Sequence, residues 1–286
     1  MGKCYRSELV GAFGCPIDEN PTGVMEEAAF AAKNLDYRYL TVRVEKDGLE
    51  DAIKAVRAFH MKGINITIPH KVEVLRYMDR LSKAARIIGA VNMIVNENGV
   101  LCGENTDGKG YLKSLADAGI SVEGKCITVL GAGGAARAIS VESALAGARK
   151  LYIANIERAQ GEELVQLIRD KTGAEAEFIM WDKPVSVPAD TDILSNATSV
   201  GLYPDTGSKP SICYDTVTAK MMVTDVIFND PHSLFLQEAE KRGARTVNGL
   251  GMLVNQGALN FTMWTGEEAP VDVMMETLKK EFNLAG

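Results

Sequence analysis

The chain has 286 residues, 46% hydrophobic and 24% charged, with 31 basic against 38 acidic side chains and a net charge of −7. That length suits two domains better than one, and no clustered Lys/Arg run is present to neutralise a nucleic-acid backbone, so nucleic acid is excluded as an expected partner. No apolar run approaches the roughly 18 residues of a membrane span, Met1-Gly2-Lys3-Cys4-Tyr5-Arg6 has no apolar leader core, and five scattered cysteines with three histidines show neither a C-x-x-C pair nor metal-ligand spacing; reduced thiols, no metal, no membrane and a cytoplasmic location are expected.

In chain order, Leu9 to Gly14 reads as a short strand and Asp18 to Gly23 as a turn-rich loop. Val24 to Leu35 has a helical pattern, with Asn20 or Thr22 as its cap. Tyr37 to Val44 alternates with period two, which predicts a strand. Leu49 to Met61 is an amphipathic helix. Gly63 to Pro69 alternates again and Pro69 stops it. Val72 to Ala85 reads as helix. Strands over Ala90 to Val95 and Val100 to Glu104 flank the turn Asn96-Glu97-Asn98-Gly99. This order implies a mostly parallel first sheet.

A helix over Gly110 to Gly119 leads to the second half. There strands are expected at Ile127–Leu130, Leu151–Asn155, Ala176–Ile179, Ile193–Asn196, Met222–Val226 and Arg245–Val247, and helices at Ala135–Ala146, Leu253–Gly266 and Val271–Phe282. Between the first of these strands and its helix lies Gly131-Ala132-Gly133-Gly134-Ala135-Ala136, a G-x-G-x-x-A phosphate loop. A strand turning tightly into a helix offers unpaired N–H groups and a positive dipole end to a pyrophosphate. Gly131 permits the turn, Gly133 lets the backbone approach the phosphates, and Ala136 lets helix pack on strand. The fold expected is α/β with two domains. Residues 1–107 form a mostly parallel substrate domain completed by C-terminal helices in 249–286, and 108–248 form a Rossmann-like dinucleotide-binding domain.

Polar clusters precede that loop at strand ends: Asn65-Ile66-Thr67-Ile68-Pro69-His70-Lys71, Gly89-Ala90-Val91-Asn92 and Gly103-Glu104-Asn105-Thr106-Asp107. In parallel sheets ligands collect beyond the carboxyl ends of strands, so these clusters are expected to face the nicotinamide. Taken singly, Lys71 reads as a solvated lysine, Asp107 as a helix cap and Gln256 as a surface residue. His70 reads as a packed or helix-capping histidine.

Together these blocks resemble the shikimate dehydrogenase family, including its quinate-oxidising relatives. Gly14-x-Pro16-Ile17, Asn65-x-Thr67-x-Pro69-His70-Lys71, Gly89-Ala90-Val91-Asn92, Asn105-Thr106-Asp107-x-x-Gly110, Asn196-Ala197-Thr198-Ser199-x-Gly201, Gly251-Met252-Leu253-x-x-Gln256-Gly257-Ala258 and Trp264-Thr265-Gly266 follow in the family's order. The resemblance implies an NAD(P)-dependent enzyme that interconverts a ring hydroxyl and a ketone, 3-dehydroshikimate to shikimate or quinate to 3-dehydroquinate. It implies Lys71 and Asp107 as the catalytic pair, and Asn20, Thr22, Asn65, Thr67, Asn92 and Gln256 as substrate ligands. For the cofactor it implies Gly131, Ala132, Gly133, Gly134, Ala135, Asn155, Glu157, Arg158, Thr198, Val226, Gly249 and Met252. A lysine beside a carboxylate stays charged and can donate a proton to a developing alkoxide.

The chain departs from that pattern in three places. Two serines that grip a substrate carboxylate in the family are replaced by Asn20 and Thr22, next to Asp18 and Glu19. A different cyclic polyol is therefore an alternative substrate, and a non-catalytic nucleotide-binding homologue an alternative class. Phe228 stands where the family often has Tyr. Ile156 replaces an arginine that binds the 2′-phosphate, and Glu157 places an acid nearby, which favours NAD over NADP. The expected partner is a small ring hydroxy acid or polyol, with a homodimer left open.

Overall fold

The computed structural model describes residues 5–284, so Cys4 and most of the N-terminal stretch read above lie outside the described residues. The chain divides into two compact units: one runs to Thr106 and resumes at Gln256, the other is Asp107–Asn255.

The first unit contains β1 (Glu8–Gly14), α1 (Thr22–Ala32), β2 (Tyr37–Arg43), α2 (Leu49–Ala58), β3 (Gly63–Ile66), β4 (Arg80–Leu81), α3 (Lys83–Ile88), β5 (Met93–Glu97) and β6 (Val100–Glu104). Its six-stranded sheet has the order β2-β1-β3-β5-β6-β4. Pairing is parallel at β1–β2, β1–β3 and β4–β6, and antiparallel at β3–β5 and β5–β6. Leu49, Ile53 and Val56 of α2, one helical stripe, are buried with Phe13, Ile64, Ile66, Ile94 and Leu101 of the sheet.

The segment expected as one helix, Val72 to Ala85, is instead a 3₁₀ turn over Glu73–Tyr77, then β4, then α3. Asp79 breaks the helix because its carboxylate is needed elsewhere. It accepts the Leu101 N–H at 2.7 Å and the Arg57 guanidinium at 2.8 Å, which pins β4 beside β6. Ser82 then restarts the helix by accepting the Ala85 N–H at 3.0 Å. Strand β3 ends at Ile66, short of Pro69.

The second unit opens with α4 (Asp107–Asp117), which starts three residues before the helix expected from Gly110. It continues with β7 (Cys126–Leu130), α5 (Gly134–Leu145), β8 (Lys150–Asn155), α6 (Arg158–Thr172), β9 (Glu175–Met180), β10 (Ile193–Asn196), β11 (Met222–Asp225), α7 (Leu234–Glu240) and β12 (Arg245–Val247). The sheet order is β12-β11-β10-β7-β8-β9 and every pairing is parallel. Order reverses between β7 and β10, the switch point where doubly wound folds bind nucleotides. Apolar clusters lie on both faces: Ile127, Val129, Ile139, Leu164 and Ile168 in one, Leu194, Val223, Phe235 and Leu236 in the other.

Two C-terminal helices follow, α8 (Leu250–Thr265) and α9 (Val271–Glu281). From Gln256 onward they belong to the first unit. There Phe261 stacks on Phe30 with centroids 5.4 Å apart, and the Trp264 indole donates to the Ile94 carbonyl at 3.0 Å. A Cβ at Gly63 would lie 2.1 Å from that indole nitrogen and 2.1 Å from the carbonyl, so only glycine fits there.

Ser82→Ala removes the α3 cap and a hydrogen bond to Glu104. It is expected to destabilise the protein by about 1–2 kcal/mol in urea unfolding.

Candidate functional site

In the first unit the polar side chains form a connected network. Tyr39, an inward-facing residue of β2, donates its hydroxyl to Asn65 Oδ1 at 2.9 Å, and Asn65 Nδ2 donates to the Asn92 carbonyl at 3.3 Å. Asn92 Oδ1 accepts the Thr106 N–H at 2.8 Å, and its Nδ2 donates to Thr106 Oγ1 at 3.0 Å. Thr106 Oγ1 donates to Asn260 Oδ1 at 2.9 Å, and Asn260 Nδ2 donates to Gln256 Oε1 at 3.1 Å. Asn65, Asn92 and Gln256 are thus brought together. Tyr39, Thr106 and Asn260 join them without having been singled out in the sequence. Asn260 had one signal: it lies four residues after Gln256 on α8 and shares its face.

The remaining first-unit positions flank this network. Thr67 lies just past β3, its N–H donating to the Phe13 carbonyl at 3.0 Å. Gly14 admits its methyl group, since a Cβ there would fall 2.3 Å from Thr67 Cγ2. The Lys71 carbonyl accepts the Val91 N–H at 2.8 Å, which fixes the backbone from which its ammonium extends. His70 is packed: it is buried, and its Nε2 donates to the Val44 carbonyl at 2.7 Å. The N-cap of α1 is Pro21, with no side-chain cap, and neither Asn20 nor Thr22 takes that place because Asn20 Oδ1 accepts the Thr22 N–H at 2.9 Å in a tight turn just ahead of the helix, leaving its amide as a donor. One turn after Thr22, Glu26 is fully buried with neither carboxylate oxygen hydrogen-bonded, and burial holds its carboxyl well above the usual range. Asp18 and Glu19 are exposed.

In the second unit the phosphate loop has the required form. Gly131 takes φ +106°, and a Cβ there would meet Thr198 Cγ2 at 3.1 Å and the Ala197 carbonyl at 3.2 Å. Gly133 is the N-cap of α5 with no side chain on the helix end, and a Cβ at Gly133 or Gly134 would meet nothing within 4 Å. That open cradle, with the N–H groups of Gly134, Ala135 and Ala136 above buried Ala132, fits a pyrophosphate. Thr198 Oγ1 donates to Asn196 Oδ1 at 2.7 Å, Asn196 Nδ2 donates to Asp225 Oδ1 at 3.0 Å, and the Val226 N–H donates to the Asn196 carbonyl at 3.1 Å. Gly249 lets its backbone approach Val226, whose carbonyl carbon and oxygen would each lie 2.5 Å from a Cβ. Met252 packs on the core beneath.

The residues after β8 have other partners. Asn155 Nδ2 donates to the Glu157 carbonyl at 3.0 Å and to Gln160 Oε1 at 3.1 Å. Glu157 is the exposed N-cap of α6. Arg158 pairs with Glu162 at 2.8 Å and sits 5.4 Å from the Phe178 ring centroid.

Residues 12–94 match the family model of the shikimate dehydrogenase substrate-binding domain, and 249–279 match the shikimate 5′-dehydrogenase C-terminal domain. A protein of Desulforamulus reducens named shikimate dehydrogenase (NADP(+)) is 40% identical, covering 98% of this chain and 99% of its own. The chain belongs to the shikimate dehydrogenase family. It is an NAD(P)-dependent, shikimate-type dehydrogenase, an oxidoreductase with the two-domain fold of its relatives. Solved structures bracket it. A Listeria monocytogenes shikimate 5-dehydrogenase, in complex with shikimate and NAD, is 37% identical with TM-score 0.90 over 95% of this chain and 96% of that one. A ligand-free 5-ketofructose reductase of Gluconobacter is 44% identical with TM-score 0.93 over 97% and 100%.

Burial pushes the Asp225 carboxyl up to about 6, against the hydrogen bonds from Ser233, Ile227 and Asn196. An unfolded aspartate titrates near 3.9, so folding favours the protonated form. The stability this contributes is complete below about pH 4 and is lost as pH rises through 6. Asparagine can accept from Asn196 and Ile227 and donate to Ser233. Asp225→Asn is therefore expected to gain stability relative to the unsubstituted protein between pH 4 and 7, read from urea midpoints at each pH.

Proposed function

We propose that the chain reduces the ketone of an uncharged polyhydroxylated substrate of the 5-ketofructose kind, with NADP(H) and with Lys71 and Asp107 as its acid–base pair. The observation that carries the substrate reading is the opening segment. Asp18 and Glu19 are exposed acids in an opening loop, and no Lys or Arg occurs from residue 15 to residue 32, while Asn20 and Thr22 stand where the family has carboxylate-binding serines. A segment of one charge sign raises the free energy of a bound anion and leaves a neutral polyol unaffected. The 44% identity to the Gluconobacter reductase supports the same reading.

In this reading Asn20, Thr22, Asn65, Thr67, Asn92 and Gln256 hydrogen-bond the substrate hydroxyls. Amide and hydroxyl groups both donate and accept, which suits hydroxyls better than a carboxylate. The bound dinucleotide supplies the hydride. Lys71 hydrogen-bonds the carbonyl oxygen and gives up its proton as negative charge develops there, with the Asp107 carboxylate as its acid–base partner.

For the cofactor, the sequence preference for NAD rests on Ile156 in place of an arginine and on the acid at Glu157. That residue sits exposed at a helix start, where an acid is stabilised by the helix dipole alone, and the curated relatives carry NADP(+) in their names. A cytoplasmic location fits Cys15, Cys102, Cys126 and Cys213, all free.

Steady-state kinetics with NADPH are expected to give 5-ketofructose at least a tenfold advantage in kcat/KM over 3-dehydroshikimate; the reverse order refutes the substrate assignment. Lys71→Ala is expected to lower kcat by about 10²–10⁴ with little change in KM. A variant that keeps the original kcat removes Lys71 from the chemistry.

A further inference from the structure

A pocket of about 480 Å³ opens within the second unit at the carboxyl ends of β8, β9 and β10. Asn155, Ile156, Trp181, Thr198, Lys183 and Lys209 are among its walls. In a doubly wound fold this is where the adenosine half of a dinucleotide lies, because the strand following the phosphate loop's helix ends beneath the adenosine ribose. Two of its walls are apolar and unusual for a surface. Ile156 is 64% exposed. The Trp181 indole is held in place by donating to the Ser211 carbonyl at 2.9 Å. A flat aromatic side chain and an uncovered aliphatic one lining the same pocket suit a purine ring.

Arg158 is held by Glu162 and Phe178, and neither Arg158 nor Glu157 is among the pocket residues. The cations that do line the pocket are Lys183 and Lys209, with Asp182 as the opposing acid. Lys209 is pre-positioned 4.8 Å from the Tyr214 ring centroid and 3.5 Å from Glu238. Lys183 is exposed and has no ion-pair partner among the described residues.

We propose that Lys183 and Lys209 bind the 2′-phosphate of NADP(H), with adenine between Ile156 and Trp181, so that two lysines from separate loops replace the arginine missing at Ile156. A phosphate monoester carries between one and two negative charges near pH 7; Lys183 meets it as a cation without an ion-pair partner among the described residues, and Lys209 meets it by sharing or exchanging its 3.5 Å contact with Glu238. The inference rests on the NADP(H) reading above and is independent of the substrate.

The test is calorimetric titration of the full-length protein with NADP+ and NAD+, without substrate, for the unsubstituted chain and for Lys183→Ala, Lys209→Ala, the double variant and Arg158→Ala. The unsubstituted protein is expected to bind NADP+ at least tenfold more tightly than NAD+. Each lysine variant is expected to lose about three- to tenfold in NADP+ affinity with NAD+ affinity unchanged within twofold, and the double variant to lose most of the discrimination. Arg158→Ala is expected to leave both affinities in place. Tighter binding of NAD+ by the unsubstituted protein overturns the NADP(H) reading itself. A preference for NADP+ that survives the double variant, or that is lost in Arg158→Ala, overturns the lysine assignment alone. Equal weakening of both dinucleotides in the lysine variants also overturns it, and matched urea midpoints exclude misfolding as the cause.

Discussion

A threonine hydroxyl has one proton, and in this protein that constraint organises the substrate-binding unit. Thr106 is fully buried, so both its proton and its lone pairs need partners. Its proton has Asn260 Oδ1 at 2.9 Å as the nearer acceptor and Asn92 Oδ1 at 3.3 Å as the farther one, and Asn92 Nδ2 donates to its oxygen. Once that direction is set, the amide orientation of Asn92 follows, then that of Asn260, then the acceptor role of Gln256 Oε1. Such chains are cooperative, because each bond polarises the next and an unpaired group in a dry interior is costly. The C-terminal helix is joined to the N-terminal sheet by this relay as well as by the apolar contacts of Phe261 and Trp264. The polar side chains of this network therefore sit in a scaffold with little rotational freedom.

Charge does separate work in the same unit. Glu26 is buried without a hydrogen-bond partner, and its field pushes the Tyr39 phenol upward in addition to the effect of burial. Tyr39 thus stays a neutral donor to Asn65 across the physiological range.

Much of this was legible in the chain. The phosphate loop announced itself because a tight strand-to-helix turn has few solutions, and Gly131 takes the positive φ such a turn demands. The parallel strands of the second unit read directly as apolar runs. Other features were hidden for physical reasons. Asp79 ended an apparently continuous helix because it serves Leu101 and Arg57, both distant in sequence, and no local pattern encodes such a debt. Thr106 and Asn260 looked like ordinary polar residues, since their importance lies in mutual hydrogen bonding. The expectation of NAD read Ile156 and Glu157 by their place in the chain, whereas the pocket at the ends of β8, β9 and β10 is built in part from loops after β9 and β10. Lys183 and Lys209 had no motif to mark them.

The contact between Gly63 and Trp264 has a consequence for descent. A methyl group on residue 63 would collide with the indole and with the carbonyl it serves. The two sites, at opposite ends of the polypeptide, cannot drift independently: any lineage that enlarges the first must shrink the second and find another donor for Ile94. Paired substitution at these positions would mark a branch that has rebuilt how its tail is fastened to its front sheet.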